Sequence, residues 1–299
     1  MTNKINVAIV TLNRQSLLAD CLNSIKKQPK IIIGSLVVID NNENASEKIK
    51  TIVSKYDGKY YYEPERGEAF ARNKALKVVP KGIFSFIDDD CVAKKNWLKI
   101  ISDSFNSNSK IDILVGRSEN LLKDNIYSCV YQCYYIRWLL ENFKDISTPQ
   151  KLYKNNNVFD TKNIAFKRKS LQGFSFDTDI LFHSINVDVV AGAKLIKQKE
   201  AYYEPNMVVY HKNPDSLKKL FMKNFFQGVG EQLIMERKKI EMRKPYLKRS
   251  IFVWLKQCLV EIRQLNILQK LFFLPLLFIY PIPYKIGRIC YRNKLFNFE

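Results

Sequence analysis

Histidine is nearly absent: His183 and His211 are the two imidazoles in 299 residues, and none of the six cysteines forms a CxxC pair. A structural zinc site, which needs closely spaced Cys and His ligands, is therefore not expected. No apolar stretch reaches the roughly twenty residues of a spanning helix. The uncharged run Leu271–Tyr284 holds fourteen residues and is interrupted by Pro275, Pro281 and Pro283, which suits a segment lying in a membrane interface better than one crossing it. Met1-Thr2-Asn3-Lys4 leads straight into a strand-like run, so no secretory signal is expected there. Scattered thiols fit a reducing cytoplasm. Repeats and low-complexity linkers are missing too. Negative charge is scarce, with 29 Asp+Glu against 49 Lys+Arg and a formal charge of +20. Residues 212–299 carry 18 basic and 6 acidic side chains, so the excess is densest there. Such a surface implies an anionic partner: lipid head groups, nucleic acid or phosphorylated substrates. The chain has no recognisable nucleic-acid module, so nucleic acid is not the expected one.

The scarce acids are concentrated where an ordinary fold gains nothing from them. Asp88, Asp89 and Asp90 stand together after the apolar run Ile83–Ile87. One reading is a solvated acidic turn. The other is a site for a hard divalent cation, Mg²⁺ or Mn²⁺, which takes oxygen ligands and keeps positions for substrate phosphates. Alternate side chains of an extended segment share a face, so Asp88 and Asp90 are expected to point together and Asp89 elsewhere.

Strand-like and helix-like segments alternate ahead of and behind this turn. Ile5–Val10, Leu36–Ile39, Tyr60–Tyr62, Ile83–Ile87 and Ile113–Val115 read as strands. Ser16–Gln28, Ser46–Tyr56, Glu68–Val78 and Trp97–Phe105 read as helices, with Ser16 a possible N-cap of the first. The alternation predicts an α/β fold with a mainly parallel sheet sandwiched by helices, and ligands at the carboxyl ends of its strands. Thr11 to Arg14, Asp40 to Asn42 and Asp88 to Asp90 all fall at such ends. Beyond about Pro214 the pattern becomes basic and amphipathic. Ser216–Ile240 and Ile251–Phe273 each repeat apolar residues at helical spacing, with Lys218, Lys219 and Lys223 off the first face. The polar stretch Ser147–Asn157 reads as a loop.

Five segments in order resemble the family 2 glycosyltransferases, which have the GT-A nucleotide-diphosphosugar transferase fold. They are Val10 to Arg14, Val38 to Asn42, Arg66 to Asn73, Phe86 to Asp90 (the DxD segment) and Asn163 to Arg168, the last resembling an acceptor-side loop. A sixth departs: where the family commonly reads Gly-Glu-Asp, this chain has Asn186-Val187-Asp188, keeping the Asp and losing the Glu. The resemblance implies a catalytic domain over 1–214, with a nucleotide-sugar half over 1–117 and an acceptor half over 118–214. A basic helical extension occupies 215–299. The resemblance also implies direct, inverting transfer from a nucleotide diphosphosugar, and the basic, amphipathic extension adds the expectation of a lipid-linked oligosaccharide or surface polysaccharide acceptor on the cytoplasmic face of an anionic membrane.

Within that resemblance, Asp88 and Asp90 are the cation ligands, with His211 either joining them or serving as a structural histidine. Asp188, the only acid between Asp179 and Glu200, is the candidate general base. Thr11, Asn13, Arg14, Asp40, Arg66, Arg72, Asn73, Asp88 and Asp89 make up the donor site. Arg72 either contacts diphosphate or forms an ion pair with Asp88 or Glu68. Asp40 either accepts the base N–H of uracil or thymine, with a UDP sugar the favoured donor, or caps the next turn. Asn13 and Arg14 equally suit helix capping. Tyr127, Tyr131, Tyr134, Tyr135 and Trp138 either stack on sugar or pack a core. Two other functions compete. A sugar nucleotidyltransferase needs a glycine-rich first loop, and Thr11-Leu12-Asn13-Arg14 has no glycine. A non-catalytic nucleotide-sugar binder gains weight from Val187.

Overall fold

The computed structural model describes residues 4–143, 145–153, 158–179, 187–238, 240 and 247–295. His183, Asn186 and the end of the polar stretch, 154–157, lie outside the described residues. In chain order the elements are β1 (Ile5–Thr11), α1 (Gln15–Lys26), β2 (Ile33–Asp40), α2 (Glu47–Lys55), β3 (Lys59–Tyr62), α3 (Glu68–Val78), β4 (Ile83–Ile87), β5 (Cys91–Ala93), α4 (Trp97–Ser107) and β6 (Ile113–Asn120). They continue with α5 (Ile126–Asn142), β7 (Gln150–Lys151), β8 (Asn163–Lys167), α6 (Val187–Leu195), β9 (Ala201–His211), α7 (Leu217–Lys238), α8 (Leu247–Glu261), α9 (Ile267–Ile279) and α10 (Pro281–Arg292). The chain divides into two compact units.

The first unit comprises 1–118, 148–154 and 159–211. Its sheet runs β3-β2-β1-β4-β8-β6-β9-β5, with β7 on β9. β3, β2, β1 and β4 pair in parallel as expected, and β6 runs the same way as β4 because β8 stands antiparallel between them. From β8 onward β4–β8, β8–β6, β9–β5 and β9–β7 are antiparallel. The sheet is mixed, because β8 and β9 return through it after the helical interruption at α5. β1 has six of its seven residues buried, as a central strand covered on both faces must. Its buried polar side chains are hydrogen-bonded: Asn6 donates to Ile83 O and accepts from Ser35 N, and Thr11 at its end donates to Asp89. Ile9, Leu18, Leu22, Val38, Ile49 and Trp97 fill the core beneath the strand ends. Asn163 to Lys167 is a core strand and not a loop. Asn163 accepts from Trp97 Nε1 at 2.8 Å and donates to Met207 O at 2.7 Å.

The second unit comprises 119–147, 155–158 and 212–299. It takes α5 as well as the basic extension, so the helical part begins earlier than residue 215. Glycine lets α7 and α10 meet backbone to backbone: a Cβ at Gly228 would collide with Tyr284 O, and one at Gly287 with Phe225 O. The α5 aromatics serve this packing. Tyr134 lies 4.4 Å from Tyr280 and 5.8 Å from Trp254, and its hydroxyl donates to Leu277 O. For Tyr134 the core reading therefore holds, while Tyr127, Tyr131 and Trp138 are half-buried. The expected helix Ile251–Phe273 is broken by a 3-10 turn at Ile262–Gln264 and restarts with a capping box between Asn266 and Gln269. The prolines do not interrupt the last two helices. Pro275 sits inside α9 and Pro281 opens α10, where its missing N–H costs nothing.

Candidate active site

Three loops at the carboxyl ends of β1, β2 and β4 form the site, as the sequence predicts. They are pinned to one another by asparagines. Asn13 has φ +55°, and its N–H donates to Asn42 Oδ1 at 2.7 Å. Asn41 Oδ1 accepts from Gly67 N at 2.9 Å, while its Nδ2 donates to Glu63 O and Glu65 O. Gly67 itself sits at φ +130°, a conformation side chains avoid, and starts α3. Arg66, just before it, is exposed.

Asp88 to Asp90 form a turn and not an extended segment, so strict alternation of faces does not apply. Asp89 is the buried member, with 4 % of its side chain exposed. It accepts from Thr11 Oγ1 at 2.7 Å and from Arg14 Nη1 at 3.0 Å. Burial pushes its carboxyl up to about 6 in spite of Arg14. Asp90 divides its oxygens. Oδ2 accepts from Arg14 Nη1 at 2.8 Å, and Oδ1 lies 3.5 Å from His211 Nε2. Asp90, Cys91 and His211 bring their ligand atoms within 4.8 Å of one another. Burial raises the Cys91 thiol far above its ordinary value, so it stays neutral and offers little to a hard ion. Asp88 keeps 34 % of its side chain open. Its carboxyl is nonetheless raised well above the usual range by desolvation, against Arg72 and with help from Asp90 and Glu68.

Arg72 is the hub. It is buried, not on a helix surface. Its Nη1 contacts Glu68 at 3.1 Å and Asp188 at 2.8 Å, and Nη2 lies 3.9 Å from Asp88. Burial alone would lower the guanidinium, but Asp188, Glu68 and Asp88 outweigh it and the cation is held. Asp188 sits in the first turn of α6. Thr161 N and Oγ1 both donate to it, at 3.1 and 2.9 Å. Val187 beside it is 1 % exposed and belongs to the core, which explains why a carboxylate is not found there.

Two expected donor residues have other work. Asp40 is fully buried, and its carboxylate accepts from Asn42 N, Ser46 N and Tyr60 OH. These bonds cap its own turn. Asn73 closes both ends of its amide on Phe176, donating to O at 3.0 Å and accepting from N at 2.7 Å. Arg14 stands at the N-cap position of α1 but makes no side-chain cap, and Ser16 lies inside the helix. Sequence reasoning missed Thr161. A lone threonine between Asp160 and Lys162 carries no pattern that would single it out.

Known proteins share this fold. The profile of Glycosyl transferase family 2 matches residues 6–174, more than half of the chain. A Haloferax volcanii protein, glucosyl-dolichyl phosphate glucuronosyltransferase, is 19 % identical over 264 residues, covering 84 % of this chain and 72 % of its own. Mannosyltransferase PcManGT from Pyrobaculum calidifontis, solved with GDP-Man and Mn²⁺, superposes with TM-score 0.58 at 14 % identity, covering 96 % of this chain and 74 % of its own. TarS from S. aureus superposes with TM-score 0.55 at 14 % identity over 97 % of this chain, which spans only 55 % of the TarS chain. Fold and family profile agree: this chain is a glycosyltransferase and belongs to Glycosyl transferase family 2.

Proposed function

We propose that this chain is a metal-dependent, inverting glycosyltransferase that moves a sugar from a nucleotide diphosphosugar to a lipid-linked oligosaccharide or surface polysaccharide at an anionic membrane face. One observation carries the reading: Arg72 joins Asp88, on the donor side, to Asp188, the candidate base, through contacts of 3.9 and 2.8 Å. Leaving-group and acceptor chemistry thus share one ion-pair network.

The donor set suits a hard cation. Asp88, Asp90 and His211 would hold Mn²⁺ or Mg²⁺ through oxygen and imidazole. Such an ion, when bound, neutralises charge developing on the leaving diphosphate. Thr11 and Arg14 keep Asp89 in place at the floor of the turn. Asp188 takes the proton of the acceptor hydroxyl, and Thr161 with Arg72 fixes the carboxylate for that transfer. Direct displacement inverts the anomeric centre. The Pyrobaculum enzyme is described with GDP-Man and Mn²⁺, which supports a nucleotide sugar and a cation without singling out UDP.

The membrane part rests on unit two. Of the exposed large apolar side chains among the described residues, sixteen fall between Phe252 and Leu295. Exposed Lys256, Arg263, Lys270, Lys285, Arg292 and Lys294 surround them. The helical run Ile267–Arg292 is long and apolar enough to cross a bilayer. Its second half, however, packs on α7, where Asn224 donates to Tyr280 O and Arg288 donates to Gln232 Oε1 at 2.9 Å. A helix bound this way to a polar neighbour favours lying in the interface. The name of the Haloferax relative points to a dolichyl-phosphate sugar acceptor, in keeping with a lipid-linked substrate.

Hydrolysis of UDP-, GDP- and dTDP-sugars, with and without Mn²⁺, tests the reading. At least one donor is expected to turn over only with the cation, and Asp90→Asn is expected to lose that dependence together with turnover. Equal activity of Asp90→Asn would remove the cation assignment.

A further inference from the structure

The guanidinium of Arg14 lies on the acids of the turn. Its Nη1 donates to Asp89 Oδ1 at 3.0 Å and to Asp90 Oδ2 at 2.8 Å. Its Nε and Nη2 have no protein acceptor among the described residues. The two contacts are unlike. Asp89 is 4 % exposed and also held by Thr11, so it stays with its counter-charge. Asp90 is 16 % exposed and turns its other oxygen toward His211. Half of the Arg14 side chain is open, at 50 %, so it can release Asp90 without releasing Asp89. Asp90 is also the carboxylate assigned to the cation. A guanidinium and a divalent cation repel each other, and both draw on the same negative charge.

We propose that Arg14 is the resident counter-ion of this turn: it occupies Asp90 in the free enzyme, yields it to the divalent cation, and, still anchored on Asp89, turns its N–H groups to the donor diphosphate. The inference rests on the cation assignment made above. Its consequence is coupling. A cation binding alone must displace Arg14 and binds weakly. With a diphosphate present, the displaced guanidinium gains a bidentate anionic partner. By linkage, the cation tightens nucleotide binding by the same factor as nucleotide tightens the cation.

Calorimetric titration of the purified full chain with Mn²⁺ alone, with UDP or GDP alone, and with both measures this directly. Arg14→Gln and Arg14→Met are expected to bind Mn²⁺ alone about fivefold or more tightly than the parent, the low end of ordinary coupling, while the factor by which Mn²⁺ tightens nucleotide falls toward one. Lys55→Gln removes an exposed cation of equal charge on α2, outside the site, and is expected to leave Mn²⁺ affinity unchanged. Two neutral Arg14 variants are used so that a folding defect in one, seen by thermal unfolding, leaves the other to decide. If neither binds Mn²⁺ more tightly while Asp90→Asn is defective, the role of Arg14 is overturned and the cation assignment stands. If Asp90→Asn binds Mn²⁺ as the parent does, both fall, since Arg14 would have nothing to yield.

Discussion

Both ends of the Asn73 amide close on the backbone of Phe176, a residue 2 % exposed. Asn73→Ala would strand a buried N–H and a buried carbonyl, a loss of about 1–3 kcal/mol. Chemical denaturation is expected to show that loss while UDP or GDP affinity stays unchanged. Weaker nucleotide binding with full stability would return Asn73 to the donor site. The same contrast explains what single residues disclose. Asp188 was legible because no other acid lies between Asp179 and Glu200. The ion pairing of Arg72 was legible because Asp88 and Glu68 are its sequence-evident neighbours, but its burial was not. The surroundings of Asp40 were only partly legible, because one of its partners, Tyr60, comes from the next strand. Thr161 was invisible, since its role comes from a chain reversal that places it against α6.

At the scale of elements, strong local signals survived. Glu68–Val78 and Ile83–Ile87 have the bounds the sequence implies, the former because Gly67 fixes its start. The break between α8 and α9 was hidden, because apolar spacing runs through Asn266 and only the reciprocal Asn266–Gln269 bonds reveal a new start. The reversed strand β8 was hidden as well, since it finds its partners β4 and β6 far away in sequence. The close approach of α7 and α10 also depends on distant residues. Gly228→Ala would push a Cβ into Tyr284 O, and overpacking of this kind costs about 1–3 kcal/mol. Thermal unfolding is expected to fall accordingly, with donor hydrolysis retained below the transition. An alanine there that leaves stability intact would contradict the packing.

At the scale of the molecule, charge and exposed apolar surface coincide. The basic excess of residues 212–299 and the sixteen exposed apolar side chains occupy the same stretch. Each basic group near an anionic leaflet contributes about 1 kcal/mol, and salt screens that part. Flotation with vesicles of phosphatidylglycerol and phosphatidylcholine is expected to show binding that high salt weakens. Phe272→Ser with Phe278→Ser is expected to remove the part that salt leaves. A full chain that ignores such vesicles, or that alkaline carbonate never extracts from membranes, would contradict docking in the interface. Docking, however, only brings the enzyme to its acceptor; the central claim is that Asp188 performs the proton transfer. The most direct test is the transfer rate of Asp188→Asn beside its donor affinity. The account predicts a rate lower by about 10²–10⁴-fold, as loss of a general base gives, with nucleotide-sugar affinity retained. Transfer by Asp188→Asn at the parental rate would contradict it.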